Sequence, residues 1–151
     1  MPLRSADHFR TLVINSAVCY VLGFLFTTVL HECSHAIIGS WSGSQPVLHH
    51  YYVAHMDRDA LPIAHQASIA LAGPFVSLVQ GFVFLIWSKR REGGGLFQLF
   101  VLWCMLLGFG NFLGYLMTGP FFTSGDTGKV LVLLDVPVPL RIMIAVIGAA
   151  A

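Results

Sequence analysis

Residues 11–39 read TLVINSAVCYVLGFLFTTVLHECSHAIIG, a stretch of 29 whose only charged or imidazole side chains are His31, Glu32 and His35. Its length and apolarity predict a helix that crosses a membrane, because about 20 apolar residues span the hydrocarbon core. The polar trio is costly there. A charged side chain at the bilayer centre opposes insertion by roughly 2.5–3.5 kcal/mol, so such residues persist in spans where function requires them. On a helix, positions i and i+4 differ by about 40° of rotation, so His31 and His35 turn two imidazoles toward one point while Glu32 falls on the adjacent face. The HExxH spacing is that of two metal ligands and a base. A dication neutralises the carboxylate and saturates both imidazoles, relieving the desolvation that three unpartnered polar groups incur.

The rest of the chain has the same character. Its 151 residues are 56% hydrophobic and 10% charged, against about 25% charged in soluble domains. This is the composition of an all-α, polytopic, integral membrane protein, one domain over residues 1–151 with the lipid bilayer as its solvent. A net charge of +1 offers no basic face to nucleic acid. Cys19, Cys33 and Cys104 lie in apolar spans without CxxC spacing, which points to neither a disulfide framework nor a zinc finger. Hydropathy predicts spans at about 11–39, 66–88 and 96–118. The first is too long for a signal peptide and has no small-residue cleavage pattern, so it is expected to be retained. The second ends at the basic cluster Lys89-Arg90-Arg91, and the third follows the turn Gly93-Gly94-Gly95. A short helix near 126–135, a break at Val136-Pro137-Val138-Pro139 and a last apolar run from Leu140 predict a broken segment over 126–151. That last run, about 18 Å long, falls short of a full span, as in a truncated or minimal core.

A zinc site needs a third protein ligand at the same depth. The first span carries His31 and His35 toward its far end, the second returns, and the third goes out again. Its end at Thr118-Gly119-Pro120 is therefore on the side of the histidines, and Asp126 follows six residues later. The four-residue run Asp126-Thr127-Gly128-Lys129 thus supplies an acidic group where one is needed.

With these residues in place, the chain resembles the site-2 protease family of intramembrane zinc metalloproteases, which pairs an HExxH helix with a later Asp-Gly motif followed by a basic residue and aliphatics. The resemblance covers roughly residues 20 to 135. It implies Zn2+ held by His31, His35 and Asp126, Glu32 as catalytic base, and hydrolysis of a peptide bond in or near a transmembrane segment of a protein substrate. Ala72-Gly73-Pro74 is similar to the Gly-Pro start of the helix packed beside that family's zinc helix. Asn111, 15 residues before Asp126, stands farther from the Asp than the family's Asn does. No soluble substrate-selecting domain is apparent, so selection is expected from the membrane core, from a regulatory partner or from self-association.

The chemistry also follows from the residues. Three protein ligands leave one zinc position open, and Glu32 is placed to take a proton from water and deliver it to the leaving amine. Water must reach the site, which predicts a polar cavity on the loop side. The loop after the first span, rich in Val and Tyr, predicts a strand or short hairpin whose edge holds an extended substrate, with Val47 and Tyr51 as contacts. Asn111 is either a substrate or oxyanion contact or a helix–helix hydrogen bond on the face marked by Gly110 and Gly114. His49, His50, His55 and His65 form a rival metal set or titrate at the headgroup level.

Two expectations about orientation conflict. Arg4, Arg10 and Lys89-Arg90-Arg91 lie opposite the motif, with Arg58 and Lys129 on its side, so the positive-inside rule puts the site near the non-cytoplasmic face. The family resemblance implies a site nearer the cytosol. Three further readings are a catalytically silent metal-binding membrane protein, a lipid-directed hydrolase, and an iron oxidase using the loop histidines.

Overall fold

The computed structural model describes residues 3–90 and 94–151. Arg91 of the basic cluster and Gly93 of the glycine turn lie outside them. Five α-helices and a two-stranded hairpin are found among the described residues: α1 (Leu3–Trp41), β1 (Pro46–Leu48), β2 (Val53–His55), a 3-10 turn at Arg58–Ala60, α2 (Ile63–Arg90), α3 (Leu96–Thr118), α4 (Asp126–Leu133) and α5 (Val138–Ala150). The expected fold class is the observed one: three long helices, a broken C-terminal segment, and a hairpin after the first helix. The helices α1, α2 and α3 are each long and apolar enough to cross a membrane. At 39 residues and about 1.5 Å per residue, α1 is longer than a bilayer core is thick, and it begins well before Thr11.

Position in the bundle follows burial. Half of the apolar window of α2 is buried but only 17% of those of α1 and α3, so α2 is the central helix, packed against α1, α3 and α4. Leu12, Phe24, Val29, Phe75, Phe82 and Leu106 are large apolar side chains on the outer surface, as a lipid-facing surface requires. Between helices, polar side chains act as ties. The Gln80 amide donates to Thr27 Oγ1 and to the Cys104 carbonyl, both at 2.8 Å, joining α1, α2 and α3 at one buried point. Trp103 Nε1 donates to Ser16 Oγ at 3.0 Å, a second α1–α3 tie.

Two sequence expectations need correction. Gly110 and Gly114 do not form the close helix crossing, because a Cβ at either meets nothing within 4 Å. The contact is made by Gly108, where a Cβ would lie 2.7 Å from the Gly81 amide and the Ser77 carbonyl. The reason is rotational: the buried stripe of α3 is Val101, Cys104 and Gly108, spaced three and four apart, and Gly110 and Gly114 lie off it. Gly73-Pro74 does not open the second helix either. α2 starts ten residues earlier, at Ile63, and Pro74 sits inside it, where it has no amide to give the Ala70 carbonyl.

The end of α1 sets up the site. Gly43 takes φ +88°, its amide donates to the Ser40 carbonyl, and the Ser44 amide donates to the Gly39 carbonyl. This paired closure is a Schellman motif, in which glycine meets the left-handed conformation without strain. It turns the chain directly into the hairpin, whose strands pair antiparallel with Leu48 opposite Val53 and Pro46 opposite His55. At the other end of the chain, Arg141 donates to the Val136 and Leu131 carbonyls, covering the C-terminal end of α4. Arg141 therefore joins Arg58 and Lys129 on the motif side, which weakens the charge asymmetry on which the orientation argument rested.

Candidate metal centre

His31 and His35 project from α1 one turn apart, and α4 begins at Asp126, whose carboxylate meets them both. The Asp126 Oδ2 atom lies 3.0 Å from His31 Nε2 and 3.2 Å from His35 Nε2. All three residues offer ligand atoms within 4.8 Å of one another, and both imidazoles are buried. Residues 91 to 95 positions apart in sequence thus converge at one point, as the span-counting argument expects.

Counting protons shows what the convergence requires. His35 Nδ1 is 2.6 Å from the Ile69 carbonyl, which can only accept, so Nδ1 carries the proton. His31 Nδ1 is 3.2 Å from Ser77 Oγ, and the single Ser77 hydroxyl proton is donated to the Gly73 carbonyl at 3.0 Å. Ser77 therefore accepts from His31 Nδ1–H. Each neutral imidazole is left with a lone pair on Nε2, aimed at a carboxylate oxygen that also only accepts. Three acceptors pointed at one another need a positive charge among them, either a proton that turns one ring into an imidazolium or a metal ion held between them. Imidazoles fixed through Nδ1–H to a backbone carbonyl or hydroxyl are in the arrangement typical of metal-bound histidine. The donor set of two imidazoles and one carboxylate could hold a metal ion.

Space is provided by the absence of a side chain. A Cβ at Gly73 of α2 would fall on His31 Nε2 and His35 Nε2, so only glycine lets α2 pass this close to the ligand atoms. Ser34, one of the two variable residues of the motif, donates to the His31 carbonyl at 2.6 Å.

Glu32 faces a cavity of about 310 Å³ with His35, Tyr51, Tyr52, Val53, His55, Arg58, Tyr115 and Asp126 on its walls. The loop-side polar cavity expected from the sequence is present. Tyr115 was not singled out by sequence. It reaches the site from α3 and stacks on His31 with ring centres 5.3 Å apart and planes 13° from parallel. Ser77 and the Ile69 carbonyl were likewise missed, whereas Gly73 was singled out within Ala72-Gly73-Pro74. Neither Ser77 nor Ile69 has a local signature, and only the i, i+4 spacing from Asn111 along α3 hints at Tyr115.

Of the expected substrate contacts, Tyr51 lines the cavity. Val47 lies on the other strand and borders a separate hollow with Gln45, Pro46, Met56 and Asp57. Asn111 sits one turn from Tyr115, is not on the cavity wall, and its buried Oδ1 has no hydrogen-bond partner. The rival histidine cluster does not assemble among the described residues. His49 stacks on Tyr52 and His50 packs edge-on against Tyr51, while His65 Nδ1 donates to the Ser42 carbonyl at 3.3 Å.

Compared with known proteins, the chain matches no family model, no curated protein and no solved structure. The reading of the site therefore rests on its own residues.

Proposed function

We propose that the protein is an intramembrane zinc metalloprotease, which hydrolyses a peptide bond of a transmembrane protein substrate. The observation that carries this reading is the convergence of three lone-pair donors, the buried His31 and His35 and the half-buried Asp126, beside a carboxylate, Glu32, on the wall of a polar cavity. A metal store or a structural metal has no need of Glu32, which is costly in an apolar span. A zinc ion held by His31, His35 and Asp126 would supply Lewis acidity toward a peptide carbonyl and would bring the pKa of a water down to about 7. Glu32 takes the proton of the attacking water and returns it to the departing amine. Ser77 and the Ile69 carbonyl hold the two imidazoles in their Nδ1–H form, and Tyr115 covers the face of His31.

The hairpin supports a polypeptide as substrate. The His49 amide donates to the Tyr52 carbonyl, and ladder alternation then leaves Val53 and His55 with their backbone N–H and C=O groups facing away from β1. That edge borders the cavity with its Val53 amide turned to the Glu32 carboxylate, and an unwound segment that takes over this amide can pair with the edge as an added strand. Glu32→Gln separates the protease from a silent metal protein. In lipid vesicles loaded with zinc, wild type cleaves co-reconstituted single-span proteins, and Glu32→Gln binds equal zinc but cleaves none. Equal cleavage by both, or by neither across a broad panel, overturns the reading.

A further inference from the structure

Two hollows on the loop side share a wall. The inner one, about 310 Å³, holds Glu32, His35 and Asp126, and the outer one, about 440 Å³, holds Asp59, Gln66 and Thr123; His55, Arg58 and Lys129 border both. Arg58 and Lys129 therefore stand as cations where the metal cavity opens outward, and both are half-buried. Arg58 donates from one guanidinium nitrogen to the Gln66 carbonyl at 3.0 Å, which leaves its other N–H groups free for an acceptor. Among the described residues neither cation is ion-paired, and the carboxylates around them are engaged or turned outward. Asp126 meets the two imidazoles, Asp57 accepts from the Ser44 hydroxyl and the Gln45 amide, Glu32 faces the Val53 amide, and Asp59 is exposed. Helix stability does not explain Lys129 either. It lies in the first turn of α4, at the positive end of the helix dipole, where a cation is disfavoured.

The strand β2 leads from the reacting groups to these cations. Val53 is beside Glu32, and His55, two residues or about 7 Å further on, is at the wall that Arg58 and Lys129 share. We infer that Arg58 and Lys129 form a subsite for an acidic side chain of the polypeptide, two or three residues from the bond that is cleaved. This rests on the protease reading above and adds a specificity rule to it. A polypeptide paired along β2 with its scissile bond at Glu32 brings that side chain to the two cations, and a carboxylate there makes charge-assisted hydrogen bonds with a guanidinium and an ammonium that have no other anion. A lipid headgroup is the less suited anion, because both cations line the cavity that holds Glu32 and Asp126.

The test uses a polypeptide that zinc-loaded wild type cleaves in a Glu32-dependent way in neutral detergent, with Asp, Asn or Lys placed in turn at each residue flanking the scissile bond. At one position, two or three residues from that bond, Asp lowers KM about tenfold relative to Asn, the size of one hydrogen bond to a charged group, and Lys raises it. Lys129→Gln and Arg58→Gln each bring the Asp-to-Asn ratio toward one, and Lys129→Glu inverts the preference in favour of Lys, all with the zinc content of wild type. Fluorescence anisotropy of the labelled polypeptides on zinc-loaded Glu32→Gln protein gives the same order of affinities without turnover. If charge reversal at Lys129 prevents folding, Lys129→Gln decides. No Asp preference at any position in wild type, or a preference that survives both Lys129→Gln and Arg58→Gln, overturns the subsite alone. So does a KM that Lys129→Gln changes through added phosphatidylglycerol and not through Asp in the polypeptide, which gives the cations to lipid headgroups. Absence of any Glu32-dependent cleavage overturns the protease reading and this inference with it.

Discussion

Replacing Ser77 by alanine tests whether the proton arrangement around His31 makes the metal site. Ser77 is 1% exposed, and its oxygen both accepts from His31 Nδ1 at 3.2 Å and donates to the Gly73 carbonyl at 3.0 Å. Removing it strands the His31 N–H in an apolar interior, at a cost of about 1–3 kcal/mol. The ring is then free to place its proton on Nε2, which removes the lone pair a metal needs. Partners of this kind are worth about 10–100-fold in metal affinity, or about 1.4–2.8 kcal/mol, in agreement with the cost of the stranded donor. Zinc affinity is measured in detergent by competition with a chromophoric chelator, with Ser68→Ala as control. Ser68 is an exposed α2 serine that bonds only the carbonyl one turn back, at Ala64. Ser77→Ala is expected to weaken zinc by that 10–100-fold and Ser68→Ala to leave it unchanged. Equal affinity for Ser77→Ala and wild type would refute the assignment of His31 Nδ1 as the protonated nitrogen.

Three further outcomes follow from the packing. Gly73→Ala puts a methyl on the two ligand nitrogens, and it abolishes zinc binding while costing about 1–3 kcal/mol of overpacking; elemental analysis of the folded variant with retained zinc would contradict this. Gln80→Leu removes two interhelical hydrogen bonds, each worth about 0.6 kcal/mol in membrane proteins, so unfolding in mixed micelles shifts by about 1 kcal/mol and a loss several times larger is ruled out. The hairpin is acid-sensitive in two stages. His55, held below 6.5 mainly by burial, binds protons more weakly folded than unfolded, so its contribution is complete above that value and is lost as pH falls through the window beneath it. Asp57, held below 3.8 chiefly by Ser44, contributes above that value and adds a second loss below it. Amide-exchange protection factors of β1 and β2 decline in both windows; flat protection would show that neither group is coupled to folding.

Periodicity and hydropathy made the skeleton legible in advance. The third span, 96–118, coincides with α3, because its flanks change polarity abruptly. The hairpin was visible as β-branched and aromatic residues between two apolar runs, and counting span directions brought Asp126 to the motif. What stayed hidden depends on rotation about helix axes and on partners far away in sequence. Gly110 and Gly114 have a helix-packing spacing but face open space, while Gly108, without a matching partner in α3, makes the crossing through Gly81. Val47 was chosen by residue type, and it lies on the strand that borders a separate hollow, whereas Tyr51 reaches the cavity. Ser77 holds His31 from 46 positions away, a distance at which no local pattern operates.

The metal centre is the claim on which everything else depends, and its most direct test is zinc per chain in protein purified without chelators, for wild type and Asp126→Ala. The geometry predicts about one zinc per wild-type chain, for a site that takes a single four-coordinate ion, and little or none once Asp126 is gone. Zinc absent from wild type, or bound equally by Asp126→Ala, would contradict the His31, His35 and Asp126 site.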